Sequence, residues 1–164
     1  MLIDLDRGSL VEAVFGLPVE FVVPDLLYER ELRQHGGEEL RELGLRVEGL
    51  EDGSGVVRAL GYRGLEPALS LVDSFALALA VENRWTLLTG DRVLRHLARS
   101  EDVDCHGLLW VLDLMVEARV VDRRTLYSGL EAIGDHPRCR LPRAEVNKRL
   151  QPGIFALGME SWLN

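Results

Sequence analysis

Leu69-Ser70-Leu71-Val72-Asp73-Ser74-Phe75-Ala76-Leu77-Ala78-Leu79-Ala80 and, after a short gap, Leu87-Leu88-Thr89-Gly90-Asp91-Arg92-Val93-Leu94-Arg95 decide the fold. Ser70 opens a helix through Asn83 that is apolar at Leu71, Val72, Phe75, Leu77, Ala78 and Leu79. Trp85–Thr89 then reads as a buried strand, and Gly90-Asp91 turns the chain into a helix over Arg92–Ala98. Helix, return strand and helix make one step of an α/β fold.

The same alternation runs outward in both directions. Upstream, Val11–Leu17 reads as a helix, and Val19–Val23 is a β-branched run closed by Pro24. Asp25 caps a helix over Leu26–Gln34 that Gly36-Gly37 stops. Leu45–Leu50 is a strand, Glu51–Gly55 a turn and Val56–Tyr62 a helix. Downstream, Val103–Cys105 is a short strand and a helix runs from after Gly107 to about Ala118. Two more helices follow near Arg124–Ile133 and Arg143–Leu150. Strands alternating with helices predict a three-layer α/β sandwich around a central, mostly parallel sheet, with a C-terminal helical extension. Residues 1–120 would form the α/β domain, and 121–164 the extension packed on it. The apolar tail Ile154–Leu163 must bury its side chains on its own domain or on a second copy.

A chain of 164 residues, 47% apolar and 28% charged, is folded rather than disordered. Its apolar runs fall short of the roughly 20 residues a membrane span needs, and no basic-then-apolar leader opens the sequence. Cys105 and Cys139 are the only cysteines and form no C-x-x-C pair, which suits a reducing cytosol. The expectation is a soluble cytoplasmic protein without a membrane partner. The net charge of −8 sits wholly in residues 1–52, with 13 acidic side chains against 5 arginines. Such a protein does not hold nucleic acid by bulk electrostatics; it needs a local basic strip or a bound cation. The most basic stretch, Arg138 to Arg149, either faces RNA or pairs with the acidic first third. Lys148 is the only lysine.

Function in open parallel sheets gathers at the carboxyl ends of strands, which brings Asp91 forward. It either N-caps the helix at Arg92 or serves a site. Asp73 either reaches back to Ser70 in a capping box or points into a cleft from an otherwise apolar stretch. Glu29 and Glu31 lie on a solvated face beside Arg30 and Arg33, or one of them joins the same site. Cys105, His106, His136 and Cys139 match no structural zinc spacing, and no glycine-rich nucleotide loop is present.

Taken together, residues 1–118 resemble a PIN domain, the fold of metal-dependent ribonucleases that includes toxins of toxin–antitoxin pairs. The resemblance rests on Leu69–Ala80, on Leu87–Arg95, and on Val103 to Leu109 as the next strand and helix. It implies Asp73 and Asp91 as catalytic carboxylates and metal ligands, joined by an acid from the helix after the second strand (Glu29 or Glu31) and one from the first strand. Arg92 and Arg95, directly behind Asp91, are the candidates for holding RNA. Clustered carboxylates select hard Mg²⁺ or Mn²⁺, which activates a water against the scissile phosphate. The resemblance further implies an RNA substrate, an antitoxin protein as partner and a homodimer.

The amino terminus departs from the pattern and admits two registers. In one, Asp4 is the first-strand ligand. In the other, Leu2-Ile3 already belong to the following helix and the expected Asp lies upstream of Met1. Helix counting from Pro24 puts Arg30 where the family has its Glu. Three functions follow in order: a Mg²⁺- or Mn²⁺-dependent endoribonuclease; a catalytically impaired PIN-like binding or regulatory module; and a phosphoacceptor receiver domain, which needs a lysine ending a late strand, whereas Lys148 falls in a terminal helical segment.

Overall fold

The computed structural model describes residues 1–151; the apolar tail over 152–164, with the packing expected for it, lies outside the described residues. The chain divides into two compact units. One is the uninterrupted stretch Val19–Leu108; the other joins Met1–Pro18 to the chain from Leu109 onward.

The Val19–Leu108 unit carries the strand–helix alternation. Strand β1 (Val22–Pro24) leads into α3 (Asp25–Leu27), a π-helical turn (Tyr28–Leu32), α4 (Gly37–Glu42) and β2 (Arg46–Glu48). Helices α5 (Gly53–Leu65) and α6 (Leu71–Asn83), strand β3 (Leu87–Leu88), α7 (Arg92–Ser100) and β4 (Cys105–His106) follow. β1 pairs with β2 in parallel, Val22 opposite Arg46, and β3 pairs with β4 in parallel, Leu87 opposite Cys105. The architecture is α/β, with the hydrogen-bonded strands in two short parallel pairs.

Helix α6 organises this unit. Its apolar residues run nearly all round, the pattern of a buried helix, and it packs against α5, α7, α3, β1 and β3. Leu77, Ala78 and Ala80 of α6 share one core with Ala59 and Tyr62 of α5, Leu94 and Ala98 of α7, and Leu87 and Val103. Ser70 caps its start by accepting the Asp73 N–H, and Arg84 ends it in the left-handed region at φ 56°.

Tyr62 is the discordant member of that core. Its side chain is buried, and its hydroxyl has no hydrogen-bond partner among the described residues. Burial first, then the nearby Glu101 carboxylate, pushes its pKa up to about 12 from 10.0. The native state therefore holds the phenol proton between about pH 10 and 12 while the unfolded chain releases it. Stability is full below pH 10 and falls as pH rises through that window. Tyr62→Phe removes the unsatisfied hydroxyl and should stabilise the unit by about 1 kcal/mol. It should also abolish this share of the alkaline loss, read as melting temperature at pH 8 against pH 11.

The second unit is helical: α1 (Leu2–Arg7), α2 (Val11–Val14), α8 (Leu108–Glu117, from its second residue), α9 (Arg123–Asp135) and α10 (Arg143–Leu150). α1 meets α9 where two buried glycines face each other. A Cβ on Gly129 would lie 2.7 Å from the Gly8 carbonyl oxygen, and one on Gly8 would lie 3.0 Å from that of Gly129. Asp122 caps α9 through the Thr125 N–H at 3.0 Å. Arg149 of α10 grips Asp113 of α8 with Nε and Nη2, at 3.0 and 2.6 Å, and Glu145 of its own helix at 3.0 Å. This arginine of the basic stretch is thus spent locally rather than on the acidic first third. Asp4, Glu29, Glu38, Glu20 and Glu48 of that third pair with Arg7, Arg33, Arg41 and Arg46 of the same segment.

Candidate functional site

Each sequence-selected carboxylate has a definite local setting. Asp73 occupies the first turn of α6, half-buried. Its N–H donates to Ser70 Oγ at 3.0 Å, and the Ser70 hydroxyl donates back to Asp73 Oδ2 at 2.6 Å. The capping box thus closes through the serine hydroxyl. Asp91 is exposed and N-caps α7: its Oδ1 accepts the Leu94 N–H at 2.8 Å, while its own N–H donates to Thr89 Oγ1 at 3.0 Å. Each bond takes one carboxylate oxygen and leaves the other, Asp73 Oδ1 and Asp91 Oδ2, without a bond among the described residues.

The acids after β1 stand on an irregularity. The expected helix over Leu26–Gln34 is instead three α-helical residues and a π-helical turn, sealed by the Arg33 N–H donating to the Tyr28 carbonyl at 2.8 Å. Gly37 fits against the end of this turn, where a Cβ would lie 2.8 Å from the Leu32 carbonyl oxygen. Tyr28 is anchored by its hydroxyl, which donates to Glu38 at 2.6 Å, and by Arg41 over its ring at 5.7 Å. Glu29 bonds Arg33 at 2.6 Å, which raises the Arg33 pKa. Glu31 is exposed; its backbone carbonyl meets His35 Nδ1 at 3.0 Å, and its carboxylate has no bond among the described residues.

Asp4 stands on α1, not at the end of a strand. It bonds Arg7 at 3.0 Å and lies 3.6 Å from the amino-terminal ammonium. Of the two registers, the one in which Leu2-Ile3 are helical matches this local structure. Arg92 is exposed, whereas Arg95 is half-buried and donates to the carbonyls of Thr89 and Cys105.

The donor chemistry fits a hard divalent cation, since all five candidates present carboxylate oxygens. Their gathering is incomplete: among the described residues no three His, Cys, Asp or Glu side chains stand together as metal ligands. Two contacts escaped sequence reasoning, although Arg95 itself was singled out as a residue to hold RNA. Thr89 holds the Asp91 amide, a link that the Thr-x-Asp spacing signals; Arg95 holds strand ends, for which spacing carries no sign.

A family model described as a PIN domain matches residues 1–152, and the match runs through α9 and α10. No curated protein and no solved structure matches the chain. PIN domains form a nuclease superfamily that is generally dependent on divalent metal, and such a domain suggests RNA as what it meets. No helix among the described residues is long and apolar enough to cross a membrane. With nearly the whole chain matched, and Asp73 and Asp91 carried on an α6–β3–α7 step of an α/β unit, the protein belongs to the PIN-domain family.

Proposed function

We propose that the chain is a Mg²⁺- or Mn²⁺-dependent endoribonuclease that uses Asp73 and Asp91 as paired metal ligands. The observation that carries this reading is the turn-back between α6 and β3. Only Arg84 to Thr86 separate them, and Leu87 shares a core with Leu77 and Ala78. From Asp73 to Asn83 the helix rises about 15 Å, and from Trp85 to Asp91 an extended chain returns about 20 Å. Such lengths support a reading in which both carboxylates lie toward one end of the α6–β3 pair.

The π-helical turn favours Glu31 over Glu29 as the further acid of this reading. A turn closed five residues back holds about one more residue than an α-helical turn. The face that helix counting assigns to Arg30 therefore passes to Glu31, while Glu29 is spent on Arg33. A cation held by Asp73 and Asp91 would supply an activated water and offset charge on the scissile phosphate. Arg92, exposed beside Asp91, meets an RNA phosphate. Because α6 packs on both β1 and β3, we read the two strand pairs as halves of one mostly parallel sheet in a three-layer sandwich. A toxin role, an antitoxin partner, a homodimer and a cytoplasmic setting rest on the family resemblance alone.

A second reading, a PIN-like binding or regulatory module without catalysis, is favoured by Asp4: it is committed to Arg7 on a helix rather than offered from a strand end. One experiment separates the two. Purified chain is incubated with labelled single-stranded RNA, with chelator and with added Mn²⁺. Cleavage lost on chelation and restored by Mn²⁺ supports the nuclease; RNA binding without cleavage supports the module; neither outcome sinks both.

A further inference from the structure

We propose that Arg95 is a positioning residue, a clamp that holds the turn presenting Asp91, and not an RNA contact as its place in the sequence implies. This rests on the reading of Asp91 as a site carboxylate. Arg95 lies on α7, four residues after the cap, and its guanidinium spans two strands. Nη1 donates to the Thr89 carbonyl at 3.3 Å and Nη2 to the Cys105 carbonyl at 3.2 Å. The neighbouring carbonyls of Asp104 and His106 accept instead from Leu87 of β3 and from Thr89 just after it, at 2.8 and 2.9 Å. Arg95 thus ties the carboxyl ends of β3 and β4 together where β3 runs into Thr89-Gly90-Asp91.

The tie reaches Asp91 from both sides. The Arg95 backbone N–H donates to the Asp91 carbonyl at 3.1 Å, while its side chain holds Thr89, whose hydroxyl accepts the Asp91 N–H. Helix start, turn and strand end therefore move as one piece, and the direction of the Asp91 carboxylate is set with them.

Two further observations point the same way. Gly107, directly after β4, has no positive φ to explain it. A Cβ there would lie 3.2 Å from Arg95 Nη1 and 3.8 Å from the Thr89 carbonyl oxygen, so the glycine leaves room for the guanidinium. Arg95 is also a half-buried cation with no carboxylate partner among the described residues, held on carbonyl dipoles alone. A planar fork with separate N–H groups can span two carbonyls, whereas an ammonium is a single point. Arg92, exposed and without a partner among the described residues, is the side chain left to meet phosphate.

The test compares Arg95→Met, Arg95→Lys, Gly107→Ala and Arg92→Gln in the full chain. The readouts are Mn²⁺ affinity by calorimetry, RNA affinity without metal over a salt series, kcat and KM, and amide exchange. A clamp predicts about 10-fold weaker Mn²⁺ binding and a roughly 10- to 100-fold lower kcat for Arg95→Met, the scale on which partners of metal ligands act. KM and the salt slope of RNA binding should stay as in the parent. Arg95→Lys keeps the charge and guards against a folding failure, yet should not restore Mn²⁺ affinity. Gly107→Ala should shift it the same way by about 3-fold. Arg92→Gln should weaken RNA binding and lower the salt slope by about 1. Were Arg95→Lys to hold Mn²⁺ as the parent does, or Arg95→Met to show the Arg92 pattern, the clamp is overturned. If the parent neither binds Mn²⁺ nor cuts RNA, the nuclease reading fails, and exchange then decides the clamp. A selective rise of about 10-fold or more at Asp91 and Leu94 over α5 amides in Arg95→Met keeps it; a uniform or absent rise ends it.

Discussion

Asp91→Asn should lower Mn²⁺-dependent RNA cleavage by roughly 10³-fold while leaving the melting temperature almost unchanged. The separation follows from two roles on one side chain. As an N-cap, Asp91 needs an oxygen to accept the Leu94 N–H, and asparagine caps a helix about as well as aspartate. As a metal ligand it needs a negative charge, which asparagine lacks. The substitution keeps the first role and removes the second. Asp73→Asn should act alike, since its amide oxygen can still accept the Ser70 hydroxyl now bonded at 2.6 Å. Asp91→Ala loses both functions, so its activity loss should come with a lower melting temperature. Cleavage by Asp91→Asn within twofold of the parent would leave capping as the whole job of this residue.

Gly129→Val should destabilise the chain by about 3 kcal/mol, a fall in melting temperature of roughly 6–12 °C for a protein of this size. In an open helix, replacing glycine stabilises by up to about 1 kcal/mol. Here the first added carbon would lie 2.7 Å from the Gly8 carbonyl oxygen and 2.8 Å from Leu10 Cδ1. A backbone oxygen cannot swing aside as a side-chain tip does, so α1 must lift from α9. Gly129→Ala should lose less, because propensity offsets part of the clash. A Gly129→Ala chain that melts above the parent would show that the contact is not tight.

How much could be read beforehand depends on where the information lies along the chain. Ser70 and Asp91 cap α6 and α7 as their sequence positions imply, and Arg143–Leu150 forms α10 at the expected bounds. Caps and apolar period are local signals. The π-helical turn was not legible, because nothing in Tyr28-Glu29-Arg30-Glu31-Leu32 separates a five-residue closure from a four-residue one. Anchors outside it, Glu38 on the Tyr28 hydroxyl and Gly37 against Leu32, lie along the same path. Gly36-Gly37, read as a stop, also opens α4, with Gly36 at φ 82°. Helix α5 runs from Gly53 to Leu65, beyond Val56–Tyr62, because Gly53, Gly61 and Gly64 hide a helix that packing on α6 sustains. The strands are shorter than their apolar runs. Val19–Val23 pairs only from Val22, and Trp85–Thr89 only at Leu87-Leu88, since a ladder needs a partner of equal reach. Asp73 and Asp91 stood out by the order and spacing of their segments, and the capping bonds that the same spacing allows are formed at both. Arg95 stood out too, as a residue to hold RNA, but its bonds to Thr89 and Cys105 were not legible, because its partners are carbonyls, and every residue has one.

The division of the chain has a consequence for how the molecule is made. Val19–Leu108 is one unbroken stretch and can close as soon as it has left the ribosome. The other unit cannot: α1 meets α9, and Leu10 lies against Gly129 of that helix, which ends only at Asp135. At about 5–20 residues per second, residues 1–18 wait roughly 6–23 s for that helix to be synthesised. Throughout that interval the surface of α1 that meets α9 waits for its partner, open to chaperones and to neighbouring nascent chains alike. Slowing elongation across Arg123–Asp135 would lengthen that exposure without changing one contact of the finished protein.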